Sequence, residues 1–159
     1  MAEAMSLTIF IDADACPVKE ETLKVAARYG LPVKIVSNGG MRPSRDPLVE
    51  TVVVAAGADA ADDWIAERCS KNDIVITADI PLASRILEAE GLPLGPTGKV
   101  FTEESIGMAL AMRDLKQHLR ESTQTQTYNR GFEARDRSNF LQALDRLVVQ
   151  ANNRNKASI

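Results

Sequence analysis

Short apolar runs alternate along the chain with longer stretches in which apolar and polar residues recur at helical spacing. The runs are LTIFI at residues 7–11, PVKIVS at 32–37, LVETVVV at 48–54 and DIVIT at 73–77. Rich in β-formers and bounded by turn residues, each predicts a strand. After the first, PVKEETLKVAARY at 17–29 opens with a proline where the first helical turn tolerates one and stops at Gly30, so it predicts a helix. ADDWIAERCS at 61–70 and LASRILEAE at 82–90, the latter ended by Gly91, predict two more. Strands alternating with helices imply parallel pairing through right-handed crossovers, hence a layered α/β sheet with helices on its faces.

The C-terminal part is less regular. LPLGPTGKVF at 92–101 predicts a short edge strand with turns, and Thr102 is placed to cap a helix that runs to about Ser122, with Glu103 and Glu104 in its first turn. STQTQTYNRG at 122–131 is poor in apolar residues and predicts a mobile loop. A last helix is expected over DRSNFLQALDRLVVQA, residues 136–151, followed by a frayed tail at 152–159. Residues 1–151 are expected to form a single domain.

Composition narrows the function classes. With 45% apolar and 26% charged residues, and no apolar run near the roughly 20 residues of a membrane helix, the chain is expected to be a globular protein without a membrane partner. MAEAMSL has no basic segment and no apolar signal core, so the cytoplasm is the expected compartment. Cys16 and Cys69 lie far apart and match no zinc-ligand or disulfide spacing. The net charge of −3 argues against a surface that is basic throughout, although a local basic stripe can still bind phosphate.

The chemistry gathers in the segments that leave the strands. The first strand runs directly into Asp12 and Asp14, where desolvation disfavours negative charge unless something compensates it. In a parallel sheet the segments after the strands meet at one end, where open α/β folds bind ligands. They bring Asp12 and Asp14, then Ser37 and Asn38, then Asp59, Asp62 and Asp63, then Asp79. Several carboxylates in one place repel one another unless a divalent cation neutralises them, and hard oxygen donors suit Mg²⁺ or Mn²⁺. Asp62 shares a helix face with Ile65, Ala66 and Cys69 and is expected to point toward the sheet. Asp59, Asp62 and Asp79 also suit helix capping, and Asp14 a turn, so both roles stay open, while Asp63 is expected to face solvent.

Other residues carry weaker signals. Arg113 lies on a helix stripe with Ile106 and Leu110 and can reach an anion or an internal carboxylate, and Arg42 and Arg45 flank Pro43 in a basic loop. Cys16 and the single histidine, His118, lack the partners of a nucleophile pair, and Trp64 is expected to be a packing anchor. No dinucleotide fingerprint, P-loop, HExxH or Ser/His/Asp set is present.

Taken together, IDADACPVK, ADAADDWIAE, DIVITADIPLA, TEESIGMALAMRDL and DRSNFLQALD resemble the YaiI/YqxD family of bacterial proteins, whose domain is similar to PIN nuclease domains. The resemblance covers nearly the whole chain and implies a three-layer α/β/α PIN-like fold with an acidic pocket. It makes Asp12, Asp62 and Asp79 the counterparts of the PIN acidic site, with Asp14 and Asp59 close by, and matches Asn38 and Arg113 to further polar positions. Where relatives tend to carry a Gly-Gly-Pro turn before the last helix, this chain has TQTYNRGF, which makes Asp136 and Arg137 less secure as site residues. The activity so implied is Mg²⁺- or Mn²⁺-dependent hydrolysis of RNA, single-stranded RNA being the expected partner and Arg42, Arg45 and Arg113 phosphate contacts. Two rivals remain. DADAC resembles the DxDxT start of haloacid-dehalogenase-like phosphatases, with Asp12 as nucleophile, although Cys16 stands in place of the threonine. The other is a binding module that keeps the pocket without turnover.

Overall fold

The computed structural model describes residues 7–13, 18–37, 46–54, 60–108, 111–112 and 134–157. In chain order they form β1 (Ile9–Asp12), α1 (Lys19–Tyr29), β2 (Val33–Ser37), β3 (Val49–Val53), α2 (Ala60–Arg68), β4 (Ile74–Ile76), α3 (Ile80–Glu88), β5 (Leu92–Leu94) and α4 (Ala134–Ala157). The strands make one five-stranded sheet in the order β3-β2-β1-β4-β5, with every neighbouring pair parallel. The basic segment 38–45, the predicted helix beyond residue 112 and the Ser/Thr/Gln-rich loop lie outside the described residues.

The unbroken apolar runs follow from burial on both sides of the sheet. Ile9 and Ile11 of β1 join Val33, Ile35, Ile74, Ile76 and Leu94 on one face, packed against Val25 and Ala26 of α1 and Phe140, Leu144 and Val148 of α4. Phe10, Val36 and Val75 fill the other face, against Ala61 and Ile65 of α2 and Leu82 and Ile86 of α3. The result is three layers, α/β/α. The chain steps from β1 outward to β3, then returns to the far side of β1 for β4 and β5. With right-handed crossovers, that reversal sends α1 to one face and α2 and α3 to the other.

Local chemistry sets the element ends. Gly30 adopts the left-handed conformation, φ 67°, and its N–H donates to the carbonyls of Ala26 and Ala27, closing α1 as predicted. Gly91 has a different reason for being glycine. The left-handed turn after α3 falls on Glu90, φ 65°, whereas a Cβ on Gly91 would lie 2.7 Å from both Cys69 Sγ and the Ile86 side chain. Thr102 caps the helical segment 103–108: its Oγ1 accepts from the Ser105 N–H at 3.1 Å, and Ser105 Oγ accepts from the Thr102 N–H at 2.8 Å. Helix α4 continues to Ala157 rather than stopping near Ala151. It is tied to α1 at two levels, by Arg137 to Glu21 at 2.9 Å and by Arg28 and the Tyr29 hydroxyl to Asp145 at 3.0 and 2.7 Å. These pairs run in the same order along both helices, so α4 lies parallel to α1.

Candidate active site at the carboxyl end of the sheet

Asp12 is the last residue of β1 and lies beside Val36 of β2. On its other side Ile11 pairs with Ile76, so the next register step sets Asp12 against Thr77. Because side chains alternate along a strand, Asp12 shares the face of Phe10, the one covered by α2 and α3. It is 5% exposed and Thr77 is fully buried. The Thr77 hydroxyl donates to Asp12 Oδ2 at 3.0 Å and accepts the Asp79 backbone N–H at 3.0 Å. Asp79, half-buried, is the N-cap of α3: its Oδ1 accepts the Leu82 N–H at 2.8 Å, and Pro81 follows in the first turn.

The location has a topological meaning. In the order β3-β2-β1-β4-β5, strand succession reverses between β1 and β4, and the helices that follow these strands depart to opposite faces. Such a switch point opens a crevice at the carboxyl ends of the strands, the place where open α/β sheets take ligands. Asp12 and Thr77 stand on its two sides. The N-termini of α1, α2 and α3 start from this end, and the pairing of α4 with α1 brings its N-terminus to the same level. Positive dipole ends at helix N-termini favour carboxylates close to them.

Of the remaining carboxylates, Asp62 is half-buried on α2, one turn before the buried Ile65. Asp63 faces solvent and holds Arg85 of α3 at 2.7 Å. That hydrogen bond keeps the Arg85 guanidinium above its ordinary pKa against a small desolvation penalty, with further attraction from Asp63, Asp62 and Glu67. Asp136 is buried in the first turn of α4, at the same end of the sheet but on the opposite layer, and Arg137 serves the α1–α4 contact through Glu21. Asp14, Asp59, Asn38, Arg42, Arg45, Arg113, Cys16 and His118 lie outside the described residues. Among the described residues no three His, Cys, Asp or Glu side chains gather closely enough to hold an ion.

Trp64 is the packing anchor expected of it, edge-on to Phe10 with centroids 6.2 Å apart and with Arg68 stacked 4.2 Å over its ring. Thr77 is the residue that the sequence reading missed. The available signal was positional: Thr77 follows IVI as Asp12 follows IFI, and it stands two residues ahead of a cap aspartate. A cavity of about 220 Å³ between α3 and the 103–108 segment, lined by Ser84, Leu87, Glu88, Glu103 and Ile106, involves none of these residues.

Residues 10–150 match the family model described as "Uncharacterized BCR, YaiI/YqxD family". The chain belongs to the YaiI/YqxD family. A UPF0178 protein of Mesorhizobium japonicum is 60% identical over 144 residues, covering 91% of this chain and 93% of the relative. UPF0178 proteins of Agrobacterium fabrum and Rhizobium meliloti are each 62% identical, over 138 and 139 residues, covering 87% of this chain and 90% and 95% of theirs. No solved structure matches this YaiI/YqxD chain. Among its described residues no helix is long and apolar enough to cross a membrane.

Proposed function

We propose that the carboxyl end of the sheet is the active site of a divalent-metal-dependent nuclease acting on single-stranded RNA, with Asp12 at its centre. The observation that carries the reading is the buried carboxylate of Asp12 at the switch point between β1 and β4, held by a hydroxyl that donates to it. A carboxylate kept there against its desolvation cost is more useful to a ligand than to the fold. The donors in reach of this end of the sheet are hard oxygens, which suits Mg²⁺ or Mn²⁺ in kind. Asp12 would hold the ion together with Asp14 and Asp59, while Asp62 and Asp79, which do not close into a three-carboxylate group with Asp12, would add negative charge at the same end of the sheet. Once bound, the metal supplies a water of lowered pKa and charge stabilisation at the phosphate oxygens. Asn38, Arg42 and Arg113 are the groups to orient the phosphate backbone. RNA as substrate is taken from the resemblance to PIN nuclease domains.

The experiment is cleavage of end-labelled single-stranded RNA by the purified protein in Mn²⁺, with and without chelator, beside Asp12→Asn protein prepared identically. Metal-dependent cleavage absent from Asp12→Asn supports the reading. Hydrolysis of small phosphomonoesters with a phosphate mimic trapped on Asp12 would instead make the protein a phosphatase. Turnover of neither substrate leaves a binding module and overturns the nuclease.

A further inference from the structure

We propose that the outer edge of β3 is a dimerisation surface, on which a second copy of this chain pairs antiparallel around Thr51 to make one continuous sheet. The two edges of the sheet differ. At β5 the edge is closed: Pro93 has no N–H to offer, its carbonyl accepts the Phe101 N–H at 3.0 Å, and Val100 makes an antiparallel bridge to Leu94. Among the described residues β3 pairs with no strand beyond β2, and LVETVVV holds a single charge and no proline.

The bonds to β2 fix which backbone groups face outward. The Leu48 carbonyl accepts the Val33 N–H at 2.8 Å, and the Val54 N–H donates to the Ser37 carbonyl at 2.9 Å. Directions alternate along a strand, so Leu48, Glu50, Val52 and Val54 turn their N–H and C=O to β2, while Val49, Thr51 and Val53 turn theirs outward. An antiparallel copy matches all three outward residues in one register, with Thr51 opposite Thr51 across the two-fold axis and Val49 opposite Val53. Centring on Glu50 instead would set two carboxylates directly opposite, and centring on Val52 would drop Val49 from the ladder. In the Thr51 register Val53, 63% exposed, meets Val49, which already packs on the core. Glu50 meets Val52 and keeps Lys34 of its own copy at 3.8 Å. Thr51 Oγ1, shielded from water and without a hydrogen-bond partner among the described residues, has a hydroxyl directly opposite, a pairing that sheets favour. The two-fold axis closes the assembly at two copies, and Asp12, two strands inward, stays out of the interface.

The test is light scattering on the full chain after size exclusion, at up to about 100 μM, where a dimer of micromolar Kd is largely assembled. Wild type should scatter at twice its 17.3 kDa. Val53→Lys puts a charge where one copy alone is open to solvent, and Thr51→Pro deletes only an outward N–H. Each should keep a cooperative thermal transition and scatter as a monomer. Register is read by cysteine pairing. Thr51→Cys chains meet their own image across the axis at a Cα spacing that a disulfide spans, so mild oxidation should link them at position 51, located by peptide mapping. Val53→Cys chains, whose mate is Val49, should form no link at position 53. A wild type that stays monomeric at every concentration overturns the proposal, as does a dimer that survives in both edge variants or a Thr51→Cys chain that makes no link at that position. Should neither edge variant fold, the Thr51→Cys link alone decides.

Discussion

Replacing Asp12 by asparagine removes one charge with almost no change of shape. The Thr77 hydroxyl donates to Asp12, whose carboxylate can only accept, and itself accepts the Asp79 N–H. The seating of the amide that keeps this hydrogen bond has its carbonyl facing Thr77 and its NH₂ group at the other carboxylate position. In metal-free protein the change should alter stability by no more than about 1 kcal/mol, the scale of a single hydrogen bond. With metal the two proteins should part. An ion that binds only the folded state stabilises it by about 2.7 kcal/mol at one hundred times its Kd. For a chain of 159 residues that is a rise in Tm of roughly 5–11 °C, at about 2–4 °C per kcal/mol. Asp12→Asn both deletes the ligand charge and presents a donor to the cation, so its Tm should stay nearly flat across the same Mn²⁺ titration. Scanning calorimetry or dye-reported melting reads both. An equal rise in the variant would place the metal away from Asp12 and refute the reasoning.

The cap at Asp79 allows charge and fold to be separated: Asp79→Asn keeps a good cap and should cost only a few tenths of a kcal/mol, while Asp79→Ala should cost about 1 kcal/mol. If the Asp79 charge serves the ion, Asp79→Asn loses RNA cleavage despite its retained stability, and full activity in that variant would confine Asp79 to the helix. At the opposite end of the sheet, burial raises the Asp73 carboxyl pKa in spite of the N–H groups of Thr8 and Ser70 and the Lys34 charge. A carboxyl raised in the folded state contributes its stability below the unfolded pKa and loses it as pH rises through the folded value. Wild type should accordingly gain on Asp73→Asn in urea midpoint between pH 7 and pH 4.5, and a constant gap would contradict this. Burial, helped by the Asp73 charge, pushes the Cys69 thiol up to about 12. At pH 7.5 its alkylation, followed on the Cys69 peptide by mass spectrometry, should be about three orders of magnitude slower than that of a free thiol of pKa about 8.5. A rate near the free-thiol value would show that the burial is not maintained.

Much of this protein was legible one segment at a time. LTIFI, PVKIVS, LVETVVV and DIVIT declared strands, and Gly30 and Thr102 declared helix ends, because each signal lies within a few residues of the backbone it controls. Alternation of strand and helix was enough for a parallel layered sheet, since a parallel pair needs a crossover. Asp12 stood out for a similar reason: a carboxylate at the end of an apolar run is conspicuous without any tertiary partner. Asp79 was readable as a cap from the proline two residues on.

Other features needed the folded chain, because their causes are contacts between residues distant in sequence. The strand order that makes β1 and β4 neighbours, and so creates a switch point, depends on which strand edges meet after collapse. Thr77 acquires its role only because Ile11 pairs with Ile76, which brings a threonine 65 positions away onto Asp12. Gly91 looked like a helix stop, yet its small size is required by Cys69 on the preceding connection. Local pattern determines what each segment becomes, because hydrogen bonding and periodicity act over a turn or a strand. Which side chains then share a crevice is decided by packing, which acts across the whole chain.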